Sequence, residues 1–510
     1  MNAGPIAGAE NPRAAENPVD AVRGTRDWLP DDCARLAGLE ALLFDRFARA
    51  GYEPLRTPVL EPTELHERKS GAGIVSKLFE LSGGAEGVCL RPELTAGIVR
   101  AYTAAEVPPT VPWRVSHAGP VFRYEATPGP SRLREFQQVG VERIGDSGPL
   151  ADAEVIWLAD WALAEAGVTG ATIRLGHVGL ILEMLERSGL PAPLAEALIE
   201  RLSEAAAEGR GVGALELGLE QLSGWLQAAG DVEPIPAGVD NADGGGIDRL
   251  FRTLVPVVTG RRSGREIVHR LRRKWDLGHG LLGALDRVRD QVHALTDLKG
   301  EPAAVLGRLG AEGEALAPDS VAALRALVKS LEEHGIDPAR VVLDLGFGRG
   351  IGFYSQMIFE ITAPTPDGPV EVCGGGRYDG LARVLGSDRD DRGVGFAFGL
   401  ERLAAVLDAQ GKGATAVAPA GFLVLAASHA EAPHAARLAV RLRAEGARAV
   451  LETGCGGDEA IARAEAAGIP RVVAVNGPDD LVLHDLVALT ASPCTPAQLD
   501  RLARDECRNR

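Results

Sequence analysis

Apolar residues recur at helical spacing over residues 31–50, and Gly51 stands where a helix normally ends. The next stretch, 52–60, contains two prolines, which confine it to an edge strand or an extended segment because proline cannot donate a ladder hydrogen bond. Two short strand patterns, two helical patterns and another strand pattern follow, so this part of the chain mixes both kinds of element. They lie at 77–81, 87–91, 94–105, 152–166 and 172–175.

Two strand patterns, residues 119–125 and 134–142, contain charged side chains where a buried strand is otherwise expected. Proline and glycine between them force a turn, so the two runs are predicted to form an antiparallel hairpin. Strand alternation places Gln138, Gly140 and Glu142 on one face, which Gly140 leaves open. Burying an unpaired charge costs several kcal/mol, so we expect these side chains to face a ligand. A cation beside two hydrogen-bonding residues suits a substrate with phosphates and an amino group.

The middle of the chain is mostly helical in pattern, and strand patterns resume after it. We expect those later strands and the hairpin to form one interrupted antiparallel sheet. Beyond a linker at 409–414, strand and helix alternate, which is typical of a small α/β domain with a parallel sheet. The later strand patterns lie at 340–345, 356–362, 370–373 and 393–398, followed by a helix at 399–408. The C-terminal alternation covers 422–427, 434–445, 449–452, 458–467 and 472–475.

The predicted organisation therefore has an α+β core that is interrupted by a helical insertion and followed by a separate domain. Its limits are a disordered leader at 1–20, core segments at 21–178 and 336–410, the insertion at 179–335, and the C-terminal α/β domain at 415–510.

Composition restricts the class of protein. A chain of 510 residues with 45% hydrophobic content is large enough for about three packed domains. The formal charge of −17 argues against bulk attraction to nucleic acid or to an anionic membrane, so any nucleic-acid contact is local. The six cysteines are scattered without a Cys-x-x-Cys pair, which argues against structural zinc. No signal pattern and no long apolar run is present, so we expect a cytoplasmic protein with reduced thiols and no membrane partner.

Four motifs in order resemble those of the class II aminoacyl-tRNA synthetases. They are the signature at 23–30, the helix and strand over 31–60, the hairpin, and the segment 393–403. The chain is similar in particular to the histidyl-tRNA synthetase family and to its non-catalytic relative, the regulatory subunit of ATP phosphoribosyltransferase. This resemblance covers most of the chain outside the leader and is weakest in the insertion. It implies a class II antiparallel sheet flanked by helices, and a homodimer.

The resemblance also implies an ATP site. Arg123 would hold the α-phosphate and the amino-acid carboxylate, and Arg402 would hold the γ-phosphate, a role that suits the permanent charge and forked geometry of guanidinium. Phe136 would stack on adenine, and Glu125 would contact its exocyclic amine. The alternatives are an ion pair between Arg123 and Glu125, and ordinary core packing for Phe136. ATP would be a substrate with Mg²⁺, and no permanent cofactor is implied.

An amino-acid pocket follows from the same resemblance. The segment 91–95 matches the family's loop for the α-amino group, which makes Glu93 and Thr95 candidates. Gln138 and Glu142 would complete the pocket, with Glu142 reaching the imidazole of histidine. The alternative for these two residues is a satisfied hydrogen bond on the strand face.

The segment 349–360 is similar to the family's histidine-specific signature. There Arg349 would act near the α-phosphate in place of a metal, as a third catalytic arginine, and Tyr354 would frame the imidazole. Gly352 stands where the family has Asp, and Phe353 where it has Tyr. These changes remove hydrogen-bonding capacity from the amino-acid end of the site.

Three functions remain open from the sequence. The first is a histidine–tRNA ligase that makes histidyl-adenylate and transfers histidine to tRNA(His). The second is a histidine-sensing regulatory subunit partnered with the ATP phosphoribosyltransferase catalytic subunit, favoured by Gly352, Phe353 and the segment 175–180. The third is an ATP-dependent ligase for another amino acid. In a synthetase, the C-terminal domain would bind the anticodon, and the basic run at 261–274 would contact the acceptor stem or form a solvated helix face.

Overall fold

The computed structural model describes most of the chain. The ranges are 20–70, 77–81, 87–107, 109–129, 132–190, 280–347, 354–389, 391–412, 421–453 and 455–508, with single positions at 195, 198 and 219. The chain divides into two compact units, one of residues 1–29 and 36–414 and the other of 30–35 and 415–510. Within the described ranges, no helix has the length and apolar character needed to cross a membrane. The domain limits set from the sequence stay a prediction.

A nine-stranded sheet organises the first unit. Its neighbouring strands are antiparallel except for two parallel pairs, the first with the second strand and the seventh with the eighth in spatial order. This confirms the α+β class with a largely antiparallel sheet. In spatial order the strands are β1 (Glu53–Leu55), β5 (Trp113–Phe122), β6 (Glu135–Ile144), β12 (Gly393–Gly399), β11 (Gly368–Arg377), β10 (Met357–Thr365), β7 (Thr172–His177), β9 (Val341–Asp344) and β8 (Lys299–Gly300). A smaller sheet joins β2 (Leu60–Pro62), β4 (Val88–Leu90) and β3 (Phe79–Glu80).

The helices of this unit cover the sheet. The first helix buries Leu36, Leu39, Leu43 and Phe47, whose spacing gives one apolar stripe. The fourth helix is apolar on nearly all sides and is accordingly buried. The helices are α1 (Pro30–Arg49), α2 (Thr63–Ser70), α3 (Thr95–Thr103), α4 (Pro149–Glu165), α5 (Val178–Arg187), α6 (Gly280–Thr296), α7 (Pro302–Leu316), α8 (Pro318–Glu333), α9 (Leu381–Val384) and α10 (Leu400–Ala409).

The predicted hairpin is confirmed as β5 and β6, which pair antiparallel from Trp113 opposite Ile144 to Phe122 opposite Glu135. On β6, Val139 and Val141 belong to the main hydrophobic core. Gln138, Gly140 and Glu142 alternate with them and lie on the other face of the sheet. The hairpin therefore separates a packed face from a face that holds polar side chains.

The second unit is a mixed α/β sheet. Its first three strands are parallel, as predicted, but two further strands extend the sheet antiparallel and were not predicted. The last strand is exposed along most of its length, so no apolar alternation marked it. The elements are β13 (Phe422–Ala426), α11 (Ala432–Ala444), β14 (Ala449–Thr453), α12 (Gly457–Ala466), β15 (Arg471–Val475), β16 (Leu481–Asp485), β17 (Thr490–Cys494) and α13 (Pro496–Arg508).

Phe47→Ala should lower the stability of the first unit substantially. The Phe47 ring is fully buried and lies 5.8 Å from the Phe396 ring and 6.4 Å from the Phe398 ring, so its loss leaves a cavity between α1 and the sheet. A phenylalanine-to-alanine change in a core typically costs about 3–5 kcal/mol. Differential scanning calorimetry should show a lowered unfolding midpoint, whereas Leu150→Ala, at a position 64% exposed, should leave it unchanged. Equal midpoints for the two variants would contradict the packing described here.

Candidate active site

Glycines on the polar face of the sheet leave room for two large side chains. A Cβ at Gly395 would overlap a carboxylate oxygen of Glu142, which lies directly opposite on β6. A Cβ at Gly393 would overlap the ring of Tyr378. Only glycine permits such close approach of a side chain to the backbone. These positions on β12 therefore form the floor of the candidate site.

The Glu142 carboxylate lies at the centre of this floor and is 2% exposed. The Thr95 hydroxyl, at the first residue of α3, donates to Oε1 at 2.5 Å, and the Tyr378 hydroxyl donates to Oε2 at 2.5 Å. Burial raises the pKa of Glu142 to about 7, against the opposing effect of these two hydrogen bonds. His117 on β5 is buried beside it, with Nε2 3.9 Å from Oε1. Near neutral pH this carboxyl group is poised between its two protonation states.

Glu93 lies just before α3 and forms a second buried carboxylate. Its Oε1 accepts a hydrogen bond from the Ala96 backbone N–H at 3.0 Å and lies 2.7 Å from the Lys69 ammonium. Burial pushes the pKa of Glu93 upward, but Lys69 and His66 outweigh it and hold the pKa at about 2. The carboxylate is therefore ionised throughout the physiological range. It is suited to binding an ammonium group.

The loop that contains Glu93 is fixed by a buried arginine. Arg91 donates to the carbonyls of Pro120 at 2.9 Å, Thr57 at 2.8 Å and Pro58 at 3.2 Å. A Cβ at Gly119 would overlap its guanidinium group. Arg91 thus attaches the loop to β5 and to the extended segment after β1.

Arg123 follows the end of β5 and lies on the same side of the hairpin as Phe136. Its Nε donates to the Pro92 carbonyl at 2.8 Å, and its Cζ lies 5.4 Å from the Phe136 ring. Phe136 is half-buried and packs at the edge of an apolar cluster, so it combines a core contact with a cation–π contact. Glu125 is half-buried, and its carbonyl accepts from the guanidinium of Arg134 at 3.0 and 2.7 Å.

Arg402 lies in the first turn of α10. Its side chain packs over Gly399, which pairs with Gln138 of β6, and its guanidinium is 4.0 Å from the Glu371 carboxylate. Glu401 accepts from the backbone N–H of Gln137 at 2.7 Å. The start of α10 is thereby tied to the hairpin, which brings Arg402 and Gln138 to the same end of the sheet.

Tyr354 precedes β10 and lies against β11, where a Cβ at Gly376 would come within 2.8 Å of its ring. The Ser355 hydroxyl accepts from the Asp379 backbone N–H at 2.9 Å, which links this segment to the loop after β11. The other residues singled out in the histidine signature, Arg349, Gly352 and Phe353, lie outside the described residues. The basic run at 261–274 also lies outside them.

The structure therefore brings the predicted Thr95, Glu142 and Gln138 to one face, with Glu93, Arg123, Phe136 and Arg402 around it. Sequence reasoning missed Tyr378, although the glycine-rich segment 374–380 that contains it could have suggested a residue facing the site. It also missed Lys69, His66 and His117. No local signal distinguishes these three, because each gains its partner only through tertiary packing.

Known proteins resemble the chain in sequence and fold. The family model described as Histidyl-tRNA synthetase matches residues 24–231 and 246–403. A histidine–tRNA ligase of Archaeoglobus fulgidus is 28% identical over 85% of this chain and 86% of its own length. One from a Synechococcus strain is 32% identical over 76% of this chain and 74% of its own.

Solved structures support the fold. Apo histidyl-tRNA synthetase of S. aureus superposes with a TM-score of 0.63 at 21% identity, covering 95% of this chain and all of that one. A Bacillus halodurans protein described as an ATP phosphoribosyltransferase regulatory subunit/histidyl-tRNA synthetase superposes with a TM-score of 0.59 at 21% identity. The match covers 91% of this chain and 99% of that one. With the family model matching well over half of its residues, the chain belongs to the histidyl-tRNA synthetase family.

Proposed function

We propose that the protein is a histidine–tRNA ligase, which activates histidine with MgATP and transfers it to tRNA(His) in the cytoplasm. The observation that supports this most is the buried Glu142 carboxylate, held by two hydroxyl donors on the sheet face that is flanked by Arg123. A polar side chain bound there would meet an anionic acceptor in a dry pocket. Histidine is an amino acid whose side chain offers N–H donors and becomes a cation near neutral pH.

Two carboxylates would bind the amino acid at opposite ends. Glu93 would receive the α-ammonium, and Glu142 would receive an imidazole N–H. Thr95 connects the two, since it begins the helix that Glu93 caps and it donates to Glu142. Gln138, on the same strand face, would contact the amino acid beside Arg123, and Tyr354 would lie against the imidazole.

The arginines would act on the phosphates. The histidine carboxylate oxygen attacks the α-phosphorus, a new P–O bond forms, and the bond to the bridging oxygen breaks so that pyrophosphate leaves with the electron pair. Arg123, Arg349 and Arg402 would neutralise charge on the phosphate oxygens, and the reaction needs positioning and charge stabilisation more than a protein nucleophile. Phe136 and Glu125 would hold the adenine, and Mg²⁺ would arrive with ATP. The tRNA 3′-terminal hydroxyl then attacks the histidyl carbonyl and releases AMP. A homodimer is part of this proposal.

A histidine-sensing regulatory subunit is the second candidate, and one contact favours it. The segment 175–180 contains the buried His177, and it touches the signature segment at Gln356, whose carbonyl accepts from Val178 N–H at 2.8 Å. A Cβ at Gly179 would lie 2.8 Å from the Gln356 side chain. The segment 175–180, which favours the regulatory subunit, therefore lies next to the segment that resembles the histidine signature. A ligase for another amino acid is the third candidate.

Histidine-dependent exchange of labelled pyrophosphate into ATP should be observed with the purified protein. Arg123→Ala should slow the exchange by about 100–1000-fold, the usual effect of removing one group that stabilises transition-state charge. Arg308→Ala, at an exposed position of α7, should leave the rate unchanged. Exchange with a different amino acid but not with histidine would favour the third candidate. No exchange, together with co-purification of an ATP phosphoribosyltransferase, would favour the second.

Glu142→Gln should weaken the use of histidine and remove a pH dependence. In the wild type, protonation of Glu142 below its pKa of about 7 removes the anionic acceptor, so kcat/KM for histidine should fall as pH drops through that value. Loss of a hydrogen bond to a charged group, about 1.5–3 kcal/mol, corresponds to a roughly 10–100-fold decrease at alkaline pH. The acid limb due to this group should disappear in the variant, while the titration of free histidine affects both enzymes equally.

The matched control is Glu135→Gln, an exposed carboxylate on the opposite face of β6. It should retain the wild-type pH profile, and KM for ATP should be similar in all three proteins. An unaltered histidine profile in Glu142→Gln would exclude this role for Glu142.

A further inference from the structure

Lys69 is a buried lysine next to Glu93, the carboxylate that is assigned to the α-amino group. Helix α2 is largely polar, yet the Lys69 side chain at its end is only 1% exposed. Removing an ammonium group from water is costly unless it is paired, and the Lys69 nitrogen lies 2.7 Å from Glu93 Oε1. Lys69 is therefore placed to act on Glu93 from the side of the protein interior.

The two oxygens of Glu93 have different surroundings. The closest approach of Lys69 and the hydrogen bond from Ala96 N–H both end on Oε1, as does the 3.8 Å approach of His66 Nδ1. Oε1 is thus held by three groups of the protein, and we assign Oε2 to the ligand. A carboxylate fixed through one oxygen presents the other in a defined direction.

The charge state of Glu93 and its neighbours His66 and Lys69 depends on the lysine. Burial lowers the pKa of His66 to about 4, so this residue is neutral at pH 7 and leaves Lys69 as the cation next to Glu93. Burial lowers the pKa of Lys69, and Glu93 opposes that shift. Other charged or titratable groups that act on the pair or its neighbours are Glu142 on β6, His117 on β5, Arg123 after β5, and Arg91 in the same loop as Glu93. Without Lys69, the pKa of the buried Glu93, which lies close to Glu142, would rise.

We propose that Lys69 is the positioning residue of the α-amino subsite: it keeps Glu93 ionised and directs Oε2 towards the substrate ammonium without touching the substrate. The proposal rests on the function proposed above. It differs from a purely structural ion pair between α2 and the loop before α3, because a structural pair would affect all ligands alike. A positioning role affects only ligands that have an α-amino group.

The experiment compares ligands with and without that group. Calorimetric titration would measure the affinities of L-histidine, L-histidinol and imidazole-4-propionate, the last of which lacks the α-amino group. The wild type should bind histidine more tightly than imidazole-4-propionate. In Lys69→Met, which has similar volume and no charge, this preference should fall by about tenfold or more, since a hydrogen bond to a charged group is lost. Histidinol affinity should fall in parallel with that of histidine, and ATP affinity should be unchanged.

A pH series adds a second readout. Because the pKa of Glu93 is about 2 in the wild type, the preference for histidine over imidazole-4-propionate should not change with pH near neutrality. In Lys69→Met, the largest effect that opposes burial is lost and the Ala96 N–H hydrogen bond remains, so the Glu93 pKa should rise and the remaining preference should increase with pH. Lys69→Arg should restore the preference, and Lys329→Met, at a side chain 74% exposed, is the matched control.

The double variant Lys69→Met/Glu93→Gln guards against misfolding, because it removes both buried charges together. It should fold and should show the same loss of preference as Lys69→Met. Wild-type preference in folded Lys69→Met would overturn the positioning role while leaving the proposed function intact. Wild-type preference in the double variant would instead overturn the assignment of the α-ammonium to Glu93. A wild type that does not bind histidine at all would overturn both.

Discussion

The site depends on burying the Glu142 carboxylate in a place where it can still accept hydrogen bonds. Three distant parts of the chain supply what this requires: Thr95 from α3, Tyr378 from the loop after β11, and the backbone of β12 at Gly395. A buried carboxylate without such donors would cost several kcal/mol. The start of α3, the loop after β11 and the strand β12 are therefore all constrained by the Glu142 side chain.

The same sheet has to satisfy opposite demands on its two faces. On β6, Val139 and Val141 pack into the main core, and on β12 the Phe396 and Phe398 rings do the same. Gly140, between the two valines, faces the site, where a Cβ would overlap the Phe396 carbonyl. Strand alternation makes this division possible, because neighbouring residues point to opposite faces. A shift of one residue in register would exchange the apolar and polar faces, so packing of the core also fixes the site.

Local patterns predicted much of this architecture, and long-range pairs did not follow from them. The hairpin was predictable because its turn residues and its alternation are contiguous in sequence, and the first helix because its apolar residues recur every three or four positions. The antiparallel strand β17 was missed because it is mostly exposed. Lys69 was not singled out, because its partner Glu93 lies on another element. The pairing of Tyr378 with Glu142 joins residues 236 positions apart, which only the folded sheet brings together.

The two carboxylates of the site differ in charge behaviour although both are buried, and the difference matches the ligand proposed for them. Glu93 has a lysine beside it and a pKa of about 2, whereas Glu142 has neutral hydroxyl donors and a pKa of about 7. An α-ammonium is a cation at all physiological pH values and suits a permanent anion. An imidazole changes charge near neutrality and suits a carboxyl group that titrates in the same range. The protein sets the two values apart through the choice of partner, a cation for one carboxylate and hydroxyls for the other. This assignment concerns recognition of histidine, which a synthetase and a histidine sensor share, so it does not separate the two. The phosphate contacts proposed for Arg123 and Arg402 belong to the synthetase.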